Sequence, residues 1–221
     1  MFIGHYGLAY AVKSRFAHIP VWALFTAVQL MDLAAFLLVF AGIEKAAYRA
    51  DPNPFFRNEL VLPWSHSLSG AVLLSAAAFG VCAAARRRSW AAVIFLCVLS
   101  HWIIDFIVHT PDLSIFFGSV PVGLGLWNYP YVSYAAEILM LVGGWMLVRY
   151  RDIYSILTLV LMTGSLTGMM FGSEPAGIRD HQSLRTGMVL ATNAAFIALA
   201  YLGEKKRLNA VSRRTARAHA A

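Results

Sequence analysis

The segment Ser-His-Trp-Ile-Ile-Asp-Phe-Ile-Val-His places His101, Asp105 and His109 at four-residue intervals. Four residues advance an α-helix by about 400°, so successive members drift by only about 40° and share one face. Two imidazoles and a carboxylate stacked in this way suit a divalent cation. Borderline-soft Zn²⁺ is the natural occupant of a mixed nitrogen and oxygen site. Taken singly, the same residues also serve as hydrogen-bonded packing groups or as members of a proton relay. Thr110-Pro111 ends the helix, which leaves Asp112 as a turn residue or an additional ligand.

The elements that must carry these residues are apolar. The 221-residue chain is 59% hydrophobic and 13% charged, with a mean hydropathy of +0.64. A soluble domain has about 25% charged residues. The net charge of +7 sits in short clusters between apolar runs, which is a membrane-topology pattern and argues against a nucleic-acid partner. A bilayer core needs roughly 20 apolar residues per helix. Six stretches qualify: Ile19–Ile43, Trp64–Ala85, Ser89–His109, Trp127–Val148, Ile153–Phe171 and Leu184–Leu202. The expected fold is therefore an all-α polytopic membrane helix bundle of about six transmembrane helices. Phe2–Val12 is too short to cross and is expected as a half-helix dipping in from the Lys13 side. The charges that follow it make it a poor signal peptide. Residues 1–203 form one transmembrane domain and 204–221 a basic cytoplasmic tail. Cys82 and Cys97 fall inside spans and imply no disulfide framework. No internal repeat of the kind that builds inverted-repeat transporters is evident.

Basic residues orient the set. Lys13, Arg15, Arg86, Arg87, Arg88, Arg149, Arg151, Lys205, Lys206, Arg207, Arg213, Arg214 and Arg217 fall on one side of the alternation. Only Lys45, Arg49, Arg57, Arg179 and Arg185 fall on the other. Both termini are thus expected in the cytoplasm, with the tail along anionic lipid or free in solution. In that orientation the intramembrane polar residues gather in the outer half of the bilayer. They are Asp32, His66, His101, Asp105, His109 and Glu137, and an Asp there costs about 2.5–3.5 kcal/mol. A half-helix entering from Lys13 carries His5 about 12 Å deep, close to Asp32. Glu44 reads as a helix-end charge at the interface, Asp180-His181 as part of a solvated loop, and His18 and His219 as incidental. Ser65 and Ser67 are placed to orient His66. Ile115, Phe116, Phe117 and Trp127 read as an interfacial aromatic belt, or as an entrance for a lipid tail.

The early His5 and Gly7, the intramembrane Asp32, Trp-Ser-His-Ser at 64–67 and Ser-His-x₃-Asp at 100–105 together resemble the inner-membrane metal-dependent hydrolase family. That family shows an early Thr-His, a Pro-Asp-x-Asp, a His-Ser and a His-x₃-Asp, and is grouped with zinc-dependent phospholipase C and related nucleases. The resemblance covers roughly residues 1–150. It implies that His5, Asp32, His66, His101 and Asp105 bind metal in a multi-pass protein of a bacterial inner membrane. Departures are visible: Asp32 stands in Gln-Leu-Met-Asp-Leu, and no Thr precedes His5. The expected activity is hydrolysis of a phosphoester or other ester, of lipid or lipid-like substrates among others, by water activated on one or two zinc ions. Glu137 or Asp112 would act as general base or as a partner of a ligand. Three other readings compete. A metal-ion or proton-coupled transporter would use the same His/Asp cluster, but the cytoplasmic halves of the spans are nearly all apolar. A serine hydrolase built on Ser65 or Ser67 with His101 and Asp105 lacks a nucleophile elbow. A structural subunit leaves the buried charges unexplained.

Overall fold

The computed structural model describes residues 1–149, 151–173 and 175–220, except for the side chains of Ala176 and of residues 210–220. The tail residues Arg213, Arg214, Arg217 and His219 therefore lie outside the described side chains. Among the described residues there are nine helices: α1 (Gly4–Arg15), α2 (Val21–Val28), α3 (Leu30–Phe40), α4 (Leu68–Ala84), α5 (Arg88–Val108), α6 (Pro130–Leu147), α7 (Ile153–Phe171), α8 (Ala176–Arg179) and α9 (Gln182–Ala220). Two antiparallel hairpins complete the fold. In one, β1 (Lys45–Tyr48) pairs with β2 (Asn58–Val61); in the other, β3 (Leu113–Ser114) pairs with β4 (Pro121–Val122).

By length and composition, three helices are able to cross a membrane: α5, α7 and α9 as far as Asn209. The count rises to four if α2 and α3, bent by 56° at Gln29, form one broken span. The stretch expected as a single span at Ile19–Ile43 is this broken pair. No proline or glycine stands at the bend. The stretch from Trp64 begins as a turn, and α4 starts only at Leu68, so His66 lies before the helix and not on it. Between Trp127 and Val148 a 3₁₀ turn, Leu126–Asn128, precedes α6. The backbone of α9 runs on through the basic segment instead of ending near Leu202.

At the centre is α5. Ala91, Ile94, Val98, His101, Asp105 and Val108 are buried at the three- and four-residue spacing of one helical face. Leu96, Ile103 and Ile107 point outward and are exposed, as are Leu73 and Val81 of α4 and Val160 of α7. A helix apolar all round is one of a large protein's core or of a membrane span. The first helix, α1, is buried among α6, α2 and α5. Gly7 and Gly144 make this possible. A Cβ on Gly7 would lie 2.2 Å from the Met140 carbonyl oxygen, and one on Gly144 would lie 1.9 Å from that of Gly7. The two helices meet backbone to backbone, which only small residues allow.

Candidate metal centre

Each contributing residue is fixed by its element. His101 and Asp105 are one turn apart on the buried face of α5, and His109 caps that helix. Asp32 lies in the first turn of α3. His66 belongs to the turn before α4, whose own start is held by Ser67: its Oγ accepts from Gly70 N at 2.9 Å. His5 comes from the first turn of α1. The backbone N–H groups of Phe2, Ile3 and Gly4 all donate to Oε2 of Glu137, at 2.9, 2.7 and 3.2 Å. These are orphan donors of a helix start that lacks a cap of its own, and a carboxylate also favours that end of the helix dipole.

The ring nitrogens explain the geometry. His101 Nδ1 donates to the carbonyl oxygen of Val28 at 2.6 Å. Val28 is the last residue of α2, and final-turn carbonyls have no partner within their own helix. Ser65 Oγ donates to Glu44 Oε2 at 2.7 Å and stands 3.0 Å from His66 Nδ1. The serine hydroxyl is thus left to accept from the imidazole. Glu44 Oε1 is itself held by the N–H groups of Trp64 and Ser65. His109 Nδ1 donates to Asp112 Oδ1 at 2.9 Å. Three histidines are therefore set as Nδ1–H tautomers, and each turns a bare Nε2 lone pair inward.

Those lone pairs converge on carboxylates. His101 Nε2 lies 3.1 Å from Asp105 Oδ2 and 3.6 Å from Asp32 Oδ1. His66 Nε2 lies 3.2 Å from Asp32 Oδ1 and 3.8 Å from Asp105 Oδ2, and His109 Nε2 lies 3.8 Å from Asp105 Oδ2. His5 Nε2 approaches the other oxygen, Asp105 Oδ1, at 3.1 Å, and its ring stacks on His101 with centroids 3.8 Å apart. The α-amino group of Met1 also donates to Asp105 Oδ1. With the protons on Nδ1, lone pairs of His66 and His101 face lone pairs of Asp32 and Asp105, and His101 Nε2 is buried without a hydrogen-bond partner. Such an arrangement of acceptors is satisfied by a proton or by a metal ion between them.

The spacing fits a metal ion. Zinc bonds of about 2.0–2.1 Å place tetrahedral ligands about 3.3–3.4 Å apart. The four separations among Asp32, His66, His101 and Asp105 run from 3.1 to 3.8 Å. Two overlapping ligand groups, His5/His101/Asp105 and Asp32/His66/His101, each bring their donor atoms within 4.8 Å of one another. They share His101, whose only free nitrogen is Nε2.

Of the residues singled out in the sequence, His5, Asp32, His66, His101, Asp105 and His109 are brought together around Asp105. Asp112 is beside them through His109. Glu137 is fully buried, and its described hydrogen bonds go to the start of α1 and not to a ligand. Glu44 departs from its reading as an interfacial helix-end charge: it is 2% exposed and braces Ser65 behind His66. Trp127 departs from the aromatic belt. It is buried, with its ring 3.9 Å from that of His109 and in contact with Phe2 and Phe55. Its main-chain oxygen accepts from Asn53 Nδ2 at 2.7 Å. Neither Ser65 nor Ser67 is hydrogen-bonded to His101. The loop pair Asp180-His181 is exposed, and Asp180 pairs with Arg179 at 3.3 Å.

No protein-family model, curated protein or solved structure matches the chain.

Proposed function

We propose that this chain is a membrane-embedded, metal-dependent hydrolase that cleaves a phosphoester or other ester, with zinc as its cofactor. The observation that carries the reading is the set of Nδ1-anchored histidines aiming bare Nε2 atoms at Asp32 and Asp105. The resemblance of the His5, Asp32, His66 and His101/Asp105 motifs to inner-membrane metal-dependent hydrolases supports it.

In this reading the membrane is crossed six times, by the α2–α3 pair, α4, α5, α6, α7 and α9. The Lys13 end of α1 and the C-terminus are cytoplasmic and the cluster lies in the outer half of the bilayer; α1 is a half-helix, and Met1, expected in the cytoplasm, instead ends at the cluster on Asp105. The bias of basic residues and the apolar outer faces of these helices support that placement.

Asp32, His66, His101 and Asp105 would hold the ion, with His5 and His109 beside them. When bound, such an ion supplies Lewis acidity, acidifying water and polarising an ester oxygen. Val28, Ser65 and Asp112 fix the ring orientations, and Glu44 fixes Ser65. Asp112, with a side chain 43% exposed beside His109, is the carboxylate with room to exchange a proton with solvent. Glu137 is committed to α1. The side chain of Asp32 is 22% exposed whereas those of His66, His101, Asp105 and His109 are 7% or less. A substrate therefore reaches the site at Asp32. Phe36 and Phe40 follow Asp32 at four-residue intervals along α3. Beyond them, Trp64 donates its N–H to Glu44 at 2.9 Å and packs on Phe117, centroids 5.2 Å apart. This apolar approach favours an ester carried by an amphiphile.

The test is metal analysis of purified protein together with hydrolysis of a chromogenic phosphodiester and of a detergent-dispersed phospholipid. The wild type should hold stoichiometric metal and lose activity to a chelator, and Asp105→Ala should lose both metal and activity. Metal-free wild type with chelator-resistant turnover would refute the reading. Metal uptake into proteoliposomes without ester cleavage would replace it with transport.

A further inference from the structure

At the end of the bundle away from the metal cluster, the C-terminal half of α1, the start of α2, the segment after α6, the start of α7 and the 199–207 stretch of α9 do not close on one another. They leave a cavity of about 240 Å³. His5 and Lys13 sit eight residues apart on α1, so the cavity lies about 12 Å along the helix from the cluster. Tyr10, Val21, Val148 and Leu199 form apolar wall, and Lys13, Arg149 and Arg207 bring cationic groups to it.

The two acids of the cavity are already engaged. Glu204 accepts from Lys13 at 3.2 Å and from Arg207 at 2.7 Å. Asp152 accepts from Ser155 N at 2.8 Å in the capping box of α7. Lys13 is itself tied by further bonds to the carbonyl oxygens of Ala17 and Ile19, at 2.8 Å each. Arg149 differs: it is exposed and makes no ion pair or side-chain hydrogen bond among the described residues. Lys206 stands nearby, with Nζ 5.7 Å from the ring of Tyr154, which also lines the cavity. An apolar recess between helices with uncommitted cations at its mouth has the chemistry of a phospholipid site, and such pockets occur on the cytoplasmic side of membrane helices.

We infer that this cavity binds one anionic phospholipid of the cytoplasmic leaflet, its phosphate at Arg149 and Lys206 and its chain against Val21, Val148 and Leu199. The inference rests on the membrane orientation proposed above but not on the hydrolase reading.

Its test is native mass spectrometry and thermal unfolding of the full-length protein, with phosphatidylglycerol, phosphatidylcholine or inorganic phosphate added to detergent micelles. Phosphatidylglycerol should be retained and should raise the unfolding temperature, while phosphatidylcholine and phosphate do neither. Arg149→Glu should weaken phosphatidylglycerol retention by at least about fivefold, since one cation near an anionic surface contributes about 1 kcal/mol. Arg149→Lys should restore most of it and also serves as the folded control. Equal retention of both lipids, or an unchanged Arg149→Glu variant, would overturn the inference. Stabilisation by inorganic phosphate at the level of phosphatidylglycerol would also overturn it, leaving a simple anion site. Because metal content and ester cleavage are measured separately, loss of lipid binding with intact metal is distinguishable from failure of the hydrolase reading.

Discussion

Asp105 is met by His5 on one oxygen and by His66, His101 and His109 around the other. The groups that aim those rings are expected to matter nearly as much as the ligands. Losing a partner of a metal-binding histidine typically costs 10–100-fold in affinity. We therefore expect Ser65→Ala and Asp112→Asn each to weaken zinc binding by roughly one to two orders of magnitude, with the fold retained. Competition against a chromophoric chelator measures this, and an affinity unchanged in both variants would remove the anchored-tautomer account. The residues that cluster and the α5 spacing were legible in the sequence, because a polar residue inside an apolar run stands out and a four-residue repeat fixes a face. Glu44 was not. Its value comes from a hydrogen bond to Ser65, 21 residues away, and a carboxylate at a helix end looks the same whether solvated or enclosed. The partner of His101 is a backbone carbonyl, which no residue type announces.

Among the elements, α1 depends most on its neighbours. Its docking on α6 requires Gly7 and Gly144, and a side chain at either position would collide with backbone oxygen. Gly144→Val should therefore displace α1, lower the unfolding temperature and deplete bound metal together, the overpacking costing on the order of 1–3 kcal/mol. Scanning calorimetry and metal analysis on one preparation check the coupling, and loss of stability with metal content intact would separate α1 from the site. Glu137→Ala strands three N–H donors, two of them buried, and should destabilise by at least about 2 kcal/mol. Glu137→Gln, which keeps an acceptor, should cost less, as denaturant titration would show. A short helix was foreseeable from the apolar run before Lys13, yet its glycine contacts depend on a partner more than 130 residues away. The break between α2 and α3 was not foreseeable, since Gln29 carries no local helix-breaking signal. Neither was the turn at residues 64–67, because Trp64, Ser65 and Ser67 are apolar or small enough to extend a span.

For the whole molecule, the composition already described a helical protein with helices long and apolar enough to cross a membrane. Three helices meet the demands of a crossing outright, and a fourth is available as the broken pair. The apolar α4, at 17 residues, is shorter than these, and in the six-crossing arrangement proposed above the turn before it would have to be enclosed by protein. The six-crossing arrangement makes a topological prediction. A cysteine introduced in the segment joining α4 to α5, such as Arg87→Cys in a Cys82→Ala/Cys97→Ala background, should react only with membrane-permeant maleimide in intact cells. One introduced at Gly177 should react with the impermeant reagent as well. Impermeant labelling at residue 87 would reverse the orientation and place the metal cluster on the cytoplasmic side.

The capping of α1 by Glu137 also sets an order of events during synthesis. His5 leaves the ribosome first among the ligands, yet the carboxylate and the glycine that hold its helix arrive only with α6. A chain stopped after Val108 carries His5, Asp32, His66, His101 and Asp105, but of the neighbours of α1 it has only α2 and α5 and lacks the Glu137 and Gly144 that seat it. The nascent protein therefore cannot seat α1, and with it His5, in its final place until α6 is made, although Asp32, His66, His101 and Asp105 all precede that helix.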